Sequence, residues 1–146
     1  MNREVLAKAV FEEMYANDAF SKWLGIEAQR LAPGYALLRM QVRSEMLNGF
    51  GILHGGITYA FADSALAFAS NSHGRQAVSI ETAINHLKPV QDGEWLSAEA
   101  EEIHLGNNTG VYQVRVVDET GKKVAVFKGT VYRSKHLFDA AKAGGL

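Results

Sequence analysis

The chain has 146 residues, enough for a single domain with its own core. Its 15 basic and 16 acidic residues leave a net charge of −1, which excludes the basic footprint of a nucleic-acid surface. It has no cysteine, which excludes disulfides, a thiolate nucleophile and cysteine-ligated metals.

In chain order, Asn2 to Ala16 reads as an amphipathic helix. Leu6, Val10, Phe11 and Met14 share one face, opposite Lys8, Glu12 and Glu13. The glutamates interrupt any apolar core of a secretory signal, so the expected location is cytoplasmic. Asp18 is placed to cap a second short helix, AFSKWLG, which Gly25 stops. Residues 1–24 are thus expected as an N-terminal helical segment. IEAQRLA and YALLRMQVR flank Pro33-Gly34, a turn signal. In the second arm Ala36, Leu38, Met40 and Val42 alternate with Leu37, Arg39, Gln41 and Arg43, the pattern of a half-buried strand in a hairpin.

The stretch from Asn48 to Asn71, NGFGILHGGITYAFADSALAFASN, organises the rest. It starts as a loop containing Gly49, Gly51, Gly55 and Gly56. It then becomes a helix with apolar residues all round, the pattern of a buried helix. Asp63 and Ser64 interrupt this run, which is too short to cross a bilayer, so no membrane association is expected. The helical neighbours of Asp63 are Tyr59, Ala60, Leu66 and Ala67, none of which neutralises a carboxylate. Such a carboxylate is costly and should have a raised pKa. His54-Gly55-Gly56 opens the helix. Unpaired N–H groups with partial positive charge gather at a helix start, and glycine lets a ligand approach them. The turn therefore reads as an oxyanion site. Asn48 adds an amide able to orient water or a ligand.

Gly55 and Asp63 lie eight residues apart, about 12 Å along a helix axis. Both cannot touch one reacting carbonyl within one chain. A two-fold dimer would bring Asp63 of one chain to Gly55 of the other, so the expected assembly is a homodimer with shared sites. Assembly of dimers into a homotetramer is a separate expectation, and the residues select no face for it.

After His73-Gly74-Arg75 the remaining elements read as strands. The expected faces are Val78, Ile80, Thr82 and Ile84; then Leu96, Ala98 and Ala100; then Tyr112, Val114 and Val116; then Val124 and Val126. One long helix followed by an antiparallel meander is an α+β pattern. The tail HLFDAAKAGGL reads as helical and then frayed, with residues 137–146 as a flexible tail. The other histidines, His73, His86, His104 and His136, show no close metal-ligand pairing, and no metal is expected. There is no GxGxxG and no GxSxG, so neither a dinucleotide fingerprint nor a serine-hydrolase elbow is present. Ser79 lies early in the strand after the helix. Arg75, Lys88 and Lys122 are available to phosphates, and nothing local selects among them.

The run NGFGILHGGITYAFADSALAFASNSHG resembles the signature of hotdog-fold acyl-CoA thioesterases, specifically the phenylacetate-degradation branch. INHLKPVQDGE and TGVYQVRVVDETGKKVAVFKGTVYR resemble the same branch, so the likeness runs from Asn17 to Arg133. It implies a single hotdog domain over residues 1–146, an antiparallel sheet wrapped around one central helix. It implies hydrolysis of an aromatic acyl-CoA, phenylacetyl or ring-hydroxylated phenylacetyl, without a cofactor. Asp63 would be general base or nucleophile, and Gly55 N–H would hold the carbonyl. Asn48 would orient water or the carboxylate, and His54 would brace the loop and contact the thioester. Gly56 and Ser79 would contact substrate. Phe50, Ile52 and Leu53 depart from the branch, where more polar or smaller residues stand. Two other classes stay open: a hydratase or dehydratase using a His–carboxylate pair, and a non-catalytic acyl-CoA binder.

Overall fold

The structure is a computed structural model and describes residues 1–146. Helix α1 (Arg3–Ala16) is capped by Asn2, whose Oδ1 accepts from Glu4 N at 2.7 Å. Helix α2 (Ala19–Leu24) is capped by Asp18 and ends at Gly25, which takes the left-handed φ of 75° that favours glycine. Strands β1 (Glu27–Ala32) and β2 (Tyr35–Gln41) form the expected hairpin across Pro33-Gly34. Then come the central helix α3 (Gly55–Asn71) and strands β3 (Arg75–His86), β4 (Trp95–Leu105), β5 (Thr109–Asp118) and β6 (Lys123–Leu137). A short helix α4 (Asp139–Ala143) closes the chain. No helix is long and apolar enough to cross a membrane.

The six strands form one antiparallel sheet in the order β1-β2-β4-β5-β6-β3. Helix α3 packs on its inner face. Phe61, Ala62, Ala65, Leu66, Phe68 and Ala69 of α3 are buried against inward residues of β2, β4 and β5, among them Leu38, Met40, Ala98, Tyr112 and Val114. Burying such side chains contributes about 1.5–3 kcal/mol each. Close approach is enforced at Gly129 of β6, where a Cβ would lie 2.6 Å from Leu66 Cδ2. Helix α1 covers α3 on its other side, with Phe11 edge-on to Phe68 at 4.7 Å. Residues 137–146 contain α4, whose Ala141 is buried together with Phe138, Leu6 and Val10.

Two strand faces differ from the sequence expectation, each because of a β-bulge. In β3 the register shifts between Ser79 and Glu81. Before the bulge Ser79 pairs with buried Val131, so odd-numbered residues face inward. After it Ile84 and His86 pair with buried Phe127 and Ala125, so even-numbered residues do. Thr82 and Ile84 therefore face in, whereas Val78 and Ile80 face out and are 65% and 62% exposed. In β5–β6 a shift between Val116 and Val117 leaves Val124 outside the paired register. The inner face of β6 is Ala125, Phe127, Gly129 and Val131; Val126 pairs with Asn85 on the outer side.

Candidate active site

The start of α3 is held by a loop in which almost every amide is committed. Leu53 N donates to Val90 O at 2.8 Å and His54 N to Met46 O at 2.9 Å. His54 is the N-cap: its Nδ1 accepts from Gly56 N at 2.8 Å, and its carbonyl accepts from Ile57 N at 2.9 Å and from Thr58 N at 3.4 Å. Between Leu53 and Thr58 only the Gly55 N–H has no acceptor. A helix start offers several N–H groups in principle; here the capping histidine consumes its neighbours and leaves one. Gly56 thus gives its N–H to the cap. Its lack of a side chain makes room for the imidazole, since a Cβ there would lie 3.0 Å from His54 Nδ1.

Asn48 closes the preceding turn. Its Oδ1 accepts from Phe50 N at 2.9 Å and from Ile52 N at 3.4 Å, while its backbone N donates to Ile52 O at 2.8 Å. The carboxamide oxygen is structural, and the Nδ2 donors remain for a ligand. Asn48 and Gly55 line one cavity of about 380 Å³, together with Thr58, His86 and Lys88.

Asp63 lies two turns further along α3 and opens on a different cavity, of about 500 Å³, lined by Met14, Leu66, Ser79, Val131 and Phe138. Its carboxyl is partly buried, and burial alone pushes its pKa up. No cation or donor offsets that effect. Ser64, the other polar residue of the run, is occupied by a 2.9 Å hydrogen bond to Ser21 of α2. The Asp63 cavity is fixed at its far wall by Asn71, whose side chain exchanges hydrogen bonds with Ala77 of β3: Ala77 N donates to Oδ1 at 2.8 Å and Nδ2 donates to Ala77 O at 3.1 Å.

The six expected site residues therefore fall into two groups in one chain. Asp63 and Ser79 share one cavity; Asn48 and Gly55 share the other, with His54 and Gly56 forming the turn behind Gly55. Both cavities border β3, the first at Gln76–Ser79 and the second at His86. Of the three cations available to phosphates, Arg75 donates to the carbonyls of Ser134 and Arg133, and Lys88 pairs with Asp118; Lys122 is exposed. In the sequence His86 is one of four histidines without metal-ligand spacing, yet in the fold its ring lies against Gly55. Their separation of 31 positions in the sequence gives no sign of that contact.

A family model described as the thioesterase superfamily matches residues 50–133. Among curated relatives, the acyl-coenzyme A thioesterase PaaI of Escherichia coli is 42% identical over 82% of this chain and 86% of its own length. The structure of E. coli PaaI, from the phenylacetic acid degradation operon, superposes with a TM-score of 0.91 and covers 93% of this chain and 99% of that one, at 38% identity. The 1,4-dihydroxy-2-naphthoyl-CoA hydrolase of Listeria monocytogenes is 31% identical over 74% of this chain and 89% of its own. A Streptococcus mutans protein bound to acetyl CoA matches with a TM-score of 0.73 at 27% identity, covering 75% of this chain and 88% of that one.

Proposed function

The chain belongs to the thioesterase superfamily and has the hotdog fold, and from that membership we propose that it hydrolyses an aromatic acyl-CoA, of the phenylacetyl or ring-hydroxylated phenylacetyl class, to the free acid and CoA. The observation that carries this reading is the pairing of one free amide with one unpartnered acid. Gly55 N–H is the uncommitted donor at the start of α3, and Asp63 is a carboxylate that the fold buries without a partner. In this mechanism the thioester carbonyl oxygen accepts the Gly55 N–H, which stabilises the negative charge of the tetrahedral intermediate. Asp63 takes a proton from the attacking water, or attacks the carbonyl carbon itself and forms a mixed anhydride that water then opens. Either route breaks the carbon–sulfur bond and releases CoA as the thiol. Asn48 Nδ2 and Ser79 Oγ orient the water and the thioester. His54 holds the turn so that the Gly55 amide points outward. The apolar lining of the Asp63 cavity, about 500 Å³ with Met14, Leu66 and Phe138, supports an aromatic acyl group.

The site we infer is shared between two copies. Strand β3 is the last strand of the sheet, and one of its edges is unpaired. Two such edges joined antiparallel about a two-fold axis set the first half of one β3 against the second half of the other. That arrangement carries Ser79 and Asp63 of each chain toward Gly55 and Asn48 of its partner. It also covers Val78 and Ile80, which a monomer leaves exposed. The inferred dimers pair again into a homotetramer through another face; the stacked and exposed Phe20 and Trp23 of α2 offer apolar surface for that contact.

The deciding experiment is a panel of aromatic and aliphatic acyl-CoA thioesters assayed for free thiol. The expected result is turnover, highest with the phenylacetyl class. A preference for aliphatic thioesters would overturn the acyl assignment. Loss of enoyl-CoA absorbance without thiol release would identify a hydratase instead, and a stoichiometric complex with its thioester intact would identify a binder.

A further inference from the structure

The imidazole of His86 lies beside Gly55. A Cβ built at Gly55 would lie 3.2 Å from both Cε1 and Nε2 of that ring. Gly55 does not have a positive φ, so its backbone would accept alanine. The three atoms nearest to where that side chain would go all belong to the His86 ring. His86 is exposed at the end of β3, its imidazole forms no hydrogen bond within the chain, and it lines the cavity that contains Asn48 and Gly55. Its nitrogen is therefore an uncommitted polar group beside the uncommitted amide.

Distances fix what it can reach. The amide nitrogen of a residue lies about 2.5 Å from its Cβ position by standard geometry. Nε2 is therefore no more than about 6 Å from Gly55 N. An oxygen that accepts from Gly55 N at about 2.9 Å can then lie at hydrogen-bond distance from Nε2 as well. We propose that His86, in the tautomer with the proton on Nε2, is a second hydrogen-bond donor to the thioester carbonyl oxygen, acting with the Gly55 amide of the same chain. The inference rests on the thioesterase reading above. It makes His86 a catalytic residue, and it explains the glycine at 55 as the space that the ring needs.

The test uses His86→Phe, His86→Ala and His86→Gln, each checked for parental thermal unfolding, with kcat and KM measured by thiol release. Loss of one oxyanion donor typically costs about 10²–10³-fold in kcat. We expect kcat of the Phe and Ala variants to fall by about 10²-fold with KM within about threefold of the parent. His86→Gln keeps a side-chain N–H donor and should recover at least about fivefold over His86→Phe, which keeps only the ring shape. Gly55→Ala supplies an independent reading, because its methyl displaces the imidazole but keeps the N–H. It should cost activity in the parent and much less when added to His86→Ala, a non-additivity of contacting residues. A His86→Phe enzyme with kcat within about threefold of the parent, or a change confined to KM, would overturn the assignment. A parent that releases no thiol from any thioester would fail the functional reading and this inference together; an active parent indifferent to His86→Phe fails this inference alone.

Discussion

Two aspartates of this fold differ in how the chain partners them. Asp118, the last residue of β5, is only 5% exposed and fully partnered. Its Oδ1 accepts from Thr120 Oγ1 at 2.7 Å, Thr120 N at 2.9 Å and Lys122 N at 3.1 Å, and its Oδ2 pairs with Lys88. Lys88 first, and then the Thr120 hydroxyl, hold its carboxyl well below the usual carboxylate range. Asp63 has none of these partners, and burial pushes it up. The first acid is neutralised to close a turn and is chemically inert. The second retains its full appetite for a proton, which is what a base or nucleophile requires.

The contrast breaks most directly at Asp63 itself. Asp63→Asn should reduce thiol release by about 10²–10⁴-fold, the span for loss of a general base. Asp118→Asn should leave kcat within about tenfold of the parent. An Asp63→Asn enzyme within about threefold of parental rate would end the assignment of Asp63.

The division of the site is sharpened by mixing. Asp63→Asn and Gly55→Pro, the latter lacking the N–H, are each expected to be folded and inactive. Refolded together, random pairing should make about half the dimers mixed, each with one intact site, and return roughly a quarter of parental activity. Verified mixed dimers that remain silent would place both groups in one chain's site.

The pH profile comes next in size. Because desolvation raises Asp63, the acid limb of kcat/KM should lie above the ordinary carboxylate range of about 4. An acid limb at or below that range would mean that another group controls it.

The smallest effect is on stability, and its sign differs between the two acids. The folded pKa of Asp63 is raised, so its contribution to stability is present below its unfolded pKa and lost as pH rises through the folded one. Asp63→Asn should therefore raise Tm at neutral pH, at about 2–4 °C per kcal/mol for a chain near this size, with the gain vanishing in acid. The folded pKa of Asp118 is depressed, so its contribution is present above its unfolded pKa and lost as pH falls through the folded one. Asp118→Asn should lower Tm at neutral pH. Calorimetry across pH that shows both variants shifting the same way would contradict the distinction.

The features legible in the sequence are those set locally. Asp63 could be recognised because its four helical neighbours are adjacent in the chain. Asn2, Asp18 and Gly25 could be assigned as helix ends, and Pro33-Gly34 as a turn, for the same reason. Long-range register was not legible. Val78 and Ile80 alternate with Thr82 and Ile84 as though on one face, and only pairing with β6 reveals the extra residue that separates them. His86 meets Gly55 through the packing of α3 against β3. The docking of Phe138 and Ala141 on Leu6 and Val10 likewise joins opposite ends of the chain.

The bulge in β3 has a bearing on how such chains can vary in length. Ser79 is odd-numbered and His86 even-numbered, so an uninterrupted strand would direct them to opposite sides of the sheet. The one-residue insertion around Ile80 lets both look toward α3. Parity is thus a heritable property of this strand. Deleting Ile80 would remove the bulge and leave Ser79 and His86 six residues apart in an uninterrupted strand, so both would still look toward α3. A single-codon deletion at that point is thus absorbed by loss of the bulge, whereas one residue gained or lost elsewhere between Ser79 and His86, with the bulge kept, would turn one of the two outward.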